Sequence, residues 1–150
     1  MIAEIPQLEK LVTEICESPV EVLEPLTRNP KLKSLRIGGA VHSDPEAVEM
    51  VSKISTLEHL ELKDNGWSKE GPSDDMLKSL TRLPKLRYLN LDTCPKITNV
   101  GLTTLANIPT LKELWFLEAQ VTGAEVDQIF STRPDLEVYL GLADAQYDWW

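Results

Sequence analysis

A short apolar grammar, L-x-x-L-x-L, returns along the whole chain. It is plainest in Pro84-Lys85-Leu86-Arg87-Tyr88-Leu89-Asn90-Leu91 and recurs as Pro30-Lys31-Leu32-Lys33-Ser34-Leu35-Arg36-Ile37. Further copies are Thr56-Leu57-Glu58-His59-Leu60-Glu61-Leu62 and Pro109-Thr110-Leu111-Lys112-Glu113-Leu114-Trp115-Phe116, with weaker ones at Pro6–Leu11 and Pro134–Val138. The first leucines fall at 8, 32, 57, 86, 111 and 136, so the period is 24 or 25 residues except for one step of 29. Fixed self-similarity at this spacing marks a repeat architecture.

Each period predicts the same pair of elements. The motif alternates at its end, as a strand with one buried face does. A polar stretch follows, then a helix start at Ser18-Pro19, Asp44-Pro45, Ser73-Asp74, Thr98 or Thr122. Ser, Thr and Asp accept bonds from the free amides of a first helical turn, and Pro tolerates the next position. Apolar residues then recur three apart: Leu23 and Leu26; Val48, Val51 and Ile54; Leu77, Leu80 and Leu83; Leu102, Leu105 and Ile108; Val126 and Ile129. That spacing gives a helix with one buried stripe. A single unit cannot bury its stripe alone, whereas stacked units share one core. The strands must then run parallel, with the helices on the outer side.

The pattern resembles the leucine-rich-repeat family, within it the cysteine-containing, ribonuclease-inhibitor-like class. Its best copy is Leu86-x-x-Leu89-x-Leu91-x-x-Cys94-x-x-Ile97-Thr98-x-x-Gly101-Leu102-x-x-Leu105, and the likeness covers roughly residues 30–140. It implies an α/β fold: a right-handed solenoid of about five strand–helix repeats, with a parallel concave sheet and outer helices. Ala40, Asn65 and Ala119 stand where the class has Cys. The family includes substrate-receptor subunits of ubiquitin ligases, but residues 1–30 carry no convincing F-box.

One domain is expected: 1–29 an N-terminal helical cap or degenerate repeat, 30–133 four repeats, and 134–150 a last strand with a capping tail. Leu8, Leu11, Val12 and Ile15 favour the helical cap, holding Cys16 as a small apolar group, although Leu8–Leu11 also reads as a degenerate strand. The tail Tyr147-Asp148-Trp149-Trp150 either folds over the last core layer or inserts into a partner or a second copy.

Composition narrows the function. With 42% hydrophobic residues in 150, the chain has material for a core and is not disordered. No apolar run is long enough to span a bilayer, and the first residues lack the form of a secretory signal. Two unlike cysteines, Cys16 and Cys94, make no disulfide framework, so a reducing, cytoplasmic setting is expected. The net charge of −9 sits at the ends: −4 over residues 1–30, +1 over 31–117 and −6 over 118–150. Phosphate binding needs cations, so a nucleic-acid partner is not expected.

Catalytic groups do not converge. His42-Ser43-Asp44 holds triad residue types, but neighbours in sequence cannot take the geometry, and Ser43 or Asp44 reads as a helix cap. No metal-ligand spacing accompanies His59 and Glu61, so no metal or cofactor is expected, and the chain is not read as an enzyme. Gly38-Gly39 and Asp64-Asn65-Gly66 read as turns.

The concave strand face carries the candidate partner-binding residues. If Leu35/Ile37, Leu60/Leu62, Leu89/Leu91 and Leu114/Phe116 are buried, the residues between them face outward. They form the columns Ser34, His59, Tyr88, Glu113; then Arg36, Glu61, Asn90, Trp115; then Gly38, Lys63, Asp92, Leu117. Tyr88, Trp115 and Leu117 would make an aromatic–aliphatic patch, of the kind that dominates binding hot spots. Alternatively the tail covers Trp115. The longest repeat adds the loop 63–73, where Trp67 is either an anchor at the rim or packed on the next loop. The expected role is a protein-interaction module. Two other readings are an acidic inhibitor or immunity-type protein against a basic enzyme, and the terminal repeats of a larger receptor or adaptor.

Overall fold

The computed structural model describes residues 7–15, 17–63 and 71–141. Six parallel strands form one sheet in chain order: β1 (Lys10–Ile15), β2 (Ser34–Gly39), β3 (His59–Lys63), β4 (Tyr88–Leu91), β5 (Glu113–Leu117) and β6 (Glu137–Gly141). Between them run α1 (Pro19–Leu23), α2 (Pro45–Val51), α3 (Asp74–Leu80), α4 (Asn99–Ala106) and α5 (Gly123–Thr132). Short 3-10 turns extend α1 through Glu24–Arg28 and precede α2 at Ala40–Ser43. This is the expected α/β solenoid.

The core lies between sheet and helices, and it takes both periodicities. Leu35, Ile37, Leu60, Leu62, Leu89, Leu91, Leu114 and Phe116 are buried from the sheet side. Leu23, Leu26, Val48, Val51, Leu77, Leu80, Leu102, Leu105 and Ile129 meet them from the helical side. Leu32, Leu57, Leu86, Leu111 and Leu136, the first leucine of each motif, are 0% exposed and join the two layers.

Helices begin at the five expected residues. Three of the caps are made by side chains: Asp44 accepts from the amides of Glu46 and Ala47, Thr98 from Val100, and Thr122 from Glu125. Ser18 and Ser73 make no such bond. Asp74 does more, because its carboxylate accepts both the amide (2.9 Å) and the hydroxyl (2.6 Å) of Thr98 one repeat on.

Three expectations need correction. The segment after Leu8 is not a helical cap: Lys10–Ile15 is a strand paired in register with Ser34–Gly39. The sheet edge offered by β2 satisfies six residues of backbone, which overrides the weak helical spacing of Leu8, Leu11, Val12 and Ile15. Gly38 is likewise inside β2, and only Gly39, with φ 85°, begins a turn. Finally, the last period is shorter in pairing than in leucine spacing: Leu111 to Leu136 is 25 residues, yet Glu113 pairs with Glu137. In earlier repeats two successive amides share one carbonyl at the strand entrance, as Lys112 and Glu113 share that of Arg87. At β6, Glu137 is the residue that donates to Lys112.

The proposed cap residue Cys16, the loop positions Asn65 and Trp67, and the tail residues Tyr147, Trp149 and Trp150 lie outside the described residues.

Candidate functional site on the concave sheet face

Parallel pairing in register turns alternate residues of each strand into columns on the face opposite the helices. Register places Lys10, Ser34, His59, Tyr88, Glu113 and Glu137 in one column. The next is Val12, Arg36, Glu61, Asn90, Trp115 and Tyr139. These columns continue the expected ones by a strand at each end.

The amino-terminal half of the face is internally neutralised. Arg36 grips Glu61 with both Nε (2.8 Å) and Nη2 (3.1 Å), and both side chains are less than a third exposed. A planar guanidinium meeting a carboxylate in this two-point way is a strong, oriented pair. His59 stacks on Tyr88 beside it, with centroids 5.5 Å apart.

The carboxy-terminal half is aromatic and acidic. Trp115 and Tyr139 stack at 4.0 Å between centroids with an 11° interplanar angle. Each aromatic donates to the carboxylate two residues before it: Trp115 Nε1 to Glu113 Oε1 at 2.7 Å, and Tyr139 Oη to Glu137 Oε2 at 2.5 Å. Burial, opposed by a hydrogen bond from Asn90 and reinforced by the charges of Glu61 and Glu113, moves the Tyr88 hydroxyl above its ordinary pKa. The bond to Glu137 does the same for Tyr139. Between these residues lies a groove of about 540 Å³ lined by His59, Glu61, Tyr88, Glu113, Trp115 and Tyr139.

The structure therefore brings five of the proposed residues together: His59, Glu61, Tyr88, Glu113 and Trp115. Arg36 orients Glu61, and Asn90 sits below, its Nδ2 3.4 Å from the Tyr88 hydroxyl. Leu117 turns away. A Cβ added to its neighbour Gly141 would lie 2.5 Å from Leu117 Cδ2, so this side chain covers Gly141 and does not line the groove. Trp115 is flanked by Tyr139 of β6. Sequence reasoning missed Tyr139 and Glu137, although the alternation of Leu136, Val138 and Leu140 already turned them outward.

The other candidate chemistry is absorbed by the fold. His42 is 0% exposed, with Nε2 set against the carbonyls of Asp92 and Thr93, while the Asp44 carboxylate caps α2. Cys94 donates Sγ–H to the carbonyl of Leu117 at 3.0 Å, and burial pushes its thiol up to about 12. Among the described residues no cluster of His, Cys, Asp and Glu could hold a metal ion, and no helix is long and apolar enough to cross a membrane.

No protein-family model and no curated protein matches this sequence. Among solved structures, a leucine-rich-repeat protein of Leptospira interrogans superposes with a TM-score of 0.58 at 20% identity. The match covers 91% of this chain and 32% of that one, so this chain spans about a third of the other's length. An internalin of Listeria monocytogenes aligns over 83% of this chain and 53% of its own, at 12% identity and a TM-score of 0.32, which is too loose to argue from. Six in-register parallel strands, one leucine-lined core and the Leptospira superposition together establish the fold as a leucine-rich-repeat solenoid.

Proposed function

We propose that this chain is a non-enzymatic protein-interaction module that seats a protein partner on the concave face around Trp115, Tyr139 and Tyr88. The observation behind it is the convergence of three aromatic rings on the sheet face that the core does not use. A solvated strand face gains nothing from such rings, whereas an interface does, because each buries much area around one polar donor. The loop 63–73, with Trp67, is part of the proposed binding segment on its sequence alone. The groups that could have supported catalysis are engaged in caps and in the core, which favours holding over chemistry.

Finer assignments follow the same line. Cys94, bonded to the next repeat's backbone, supports a place in the ribonuclease-inhibitor-like class. A protonated, buried thiol suits a reducing, cytoplasmic setting. In this reading the chain forms one domain, with four repeats over 30–133.

The test is affinity capture from the native host with wild-type, Trp115→Ala and Tyr139→Ala baits. Loss of the captured protein in both variants, with thermal midpoints near wild type, is the expected result. Equal capture by all three would overturn the reading.

A further inference from the structure

We propose that the Glu113–Glu137 end of the concave groove receives an arginine side chain of the partner protein, its guanidinium lying between the two carboxylates and the Trp115–Tyr139 stack. This rests on the interaction reading of the face and adds the chemistry of its occupant.

Glu113 and Glu137 are directly paired positions on adjacent parallel strands, which sets their backbones about 4.8 Å apart. Like charges placed side by side on a sheet are destabilising. The fold elsewhere cancels this cost: one column over, Arg36 neutralises Glu61 with a two-point grip. Among the described residues, neither Glu113 nor Glu137 is paired with a Lys or Arg. Lys112, the nearest cation in sequence, is committed to Asp135 at 2.7 Å.

The two carboxylates are also held in place. Trp115 Nε1 fixes one oxygen of Glu113, and Tyr139 Oη fixes one of Glu137. Each therefore keeps one oxygen to offer, and the aromatic faces lie beside them. A cation stabilised by carboxylates and by ring faces fits that arrangement. Guanidinium fits better than ammonium because it is flat, forks its donors and sheds water more readily. The Arg36–Glu61 pair shows the same recognition made within the chain.

Charge also separates the occupants. The chain's own tail, residues 142–150, carries Asp144 and Asp148 and no Lys or Arg, so it complements this end of the groove poorly. A second copy, with a net charge of −9, does so no better.

The test is an NMR titration of the full chain, following the Trp115 indole N–H, assigned through Trp115→Phe. The probe is a capped Gly-Ser-Gly-Arg-Gly-Ser peptide, with citrulline and lysine versions as controls. Expected are a saturable shift with the arginine peptide, a weaker one with lysine and none with citrulline. Binding should fall about tenfold in the Glu113→Gln/Glu137→Gln variant and weaken as salt rises. Gln still accepts from Trp115 and Tyr139, so an unchanged thermal midpoint of the free variant reports an intact fold.

An equal response to citrulline, or none to arginine, would overturn the proposal. So would a Trp115 signal that moves with protein dilution or with Trp150→Ala, since a second copy or the tail would then hold the groove. Should Trp115→Ala abolish capture of the native partner while Glu113→Gln/Glu137→Gln leaves it intact, the interaction face stands and the arginine assignment falls. Capture that survives Trp115→Ala removes the face itself.

Discussion

His42 donates its Nε2–H to the carbonyl oxygen of Asp92 at 2.9 Å, from the turn after β2 to the segment after β4. The contact skips the repeat between them and shares its proton with the Thr93 carbonyl at 3.1 Å. With two carbonyls as neighbours, Nε2 must be the protonated nitrogen. The ring is fully buried, so it fills space as well as satisfying acceptors. His42→Ala should cost about 2–4 kcal/mol in urea unfolding, through cavity and lost bond together. His42→Phe, which keeps the volume, should cost less. If His42→Ala lies within experimental error of wild type, the bridge contributes nothing to stability.

One turn position recurs with a positive φ. Gly39 (φ 85°), Thr93 (φ 39°) and Glu118 (φ 61°) each stand two residues after the last large apolar side chain that a strand buries, Ile37, Leu91 and Phe116, and all three have positive φ. Of these three, only Gly39 is a residue that takes such a φ without strain. With ψ −145°, Gly39 also occupies a region essentially closed to other residues. Glu118 is exposed, so Glu118→Gly should raise stability by roughly 0.5 kcal/mol, the relief of the left-handed penalty less the entropy cost of glycine. Gly39→Ala should lower it by about 1–3 kcal/mol. Thermal midpoints of both variants measure this, and opposite signs are the required outcome.

The elements legible in the sequence were those with repeated signals. Strands β2 to β5 carry the leucine pattern, and helices α2 to α5 an apolar spacing and a cap residue. The helices start at those caps, but α2, α3 and α4 stop before Ile54, Leu83 and Ile108, which are buried from the turns that follow. β1 was misread because Leu8, Leu11, Val12 and Ile15 fit a helical stripe while the strand register depends on a partner 24 residues away, Ser34 opposite Lys10. The candidate site followed from strand parity, which placed Tyr88 and Trp115 together. Tyr139 was overlooked because leucine spacing aligns Trp115 with Leu140, whereas pairing aligns it with Tyr139. The shortened strand entrance at Glu137 makes that difference; the alternation of Leu136, Val138 and Leu140 carried the right parity, against the leucine period. The turning of Leu117 onto Gly141 depends on a side chain being absent from the next strand, so the column alone could not show it.

Gly101 sits in the first turn of α4, where helix propensity alone favours alanine by about 1 kcal/mol. The surroundings reverse the sign. A Cβ there would fall within contact radius of Asp74 Oδ1, 2.9 Å from Ile97 Cγ2 and 3.1 Å from Leu77 Cδ1. The Asp74 oxygen is the acceptor for the Thr98 amide, so moving it breaks the link between repeats. Gly101→Ala should therefore destabilise by about 1–3 kcal/mol, as overpacking of a tight site does. Asp74→Ala should cost less in the Gly101→Ala background than in wild type, because the obstructing oxygen has already been displaced there. A stabilised Gly101→Ala protein would contradict the steric account.

Cys94 supplies a pH test with a definite sign. Burial raises its thiol from the ordinary 9.0 to about 12, because the folded state admits the neutral thiol and resists the thiolate. The unfolded chain therefore releases this proton first as pH rises. Stability contributed by Cys94 is complete below about pH 9 and declines as pH climbs toward about 12. In a Cys16→Ser background, wild-type Cys94 should exceed Cys94→Ala in stability at neutral pH, and the gap should narrow near a pH of about 10.5. Comparison of the two proteins cancels the titration of every other group. The same thiol should resist iodoacetamide at neutral pH until the protein is unfolded, since the thiolate is the nucleophile. Rapid labelling of the folded protein, or a gap independent of pH, would place the thiol in water and remove it from the ladder that joins β4 to β5.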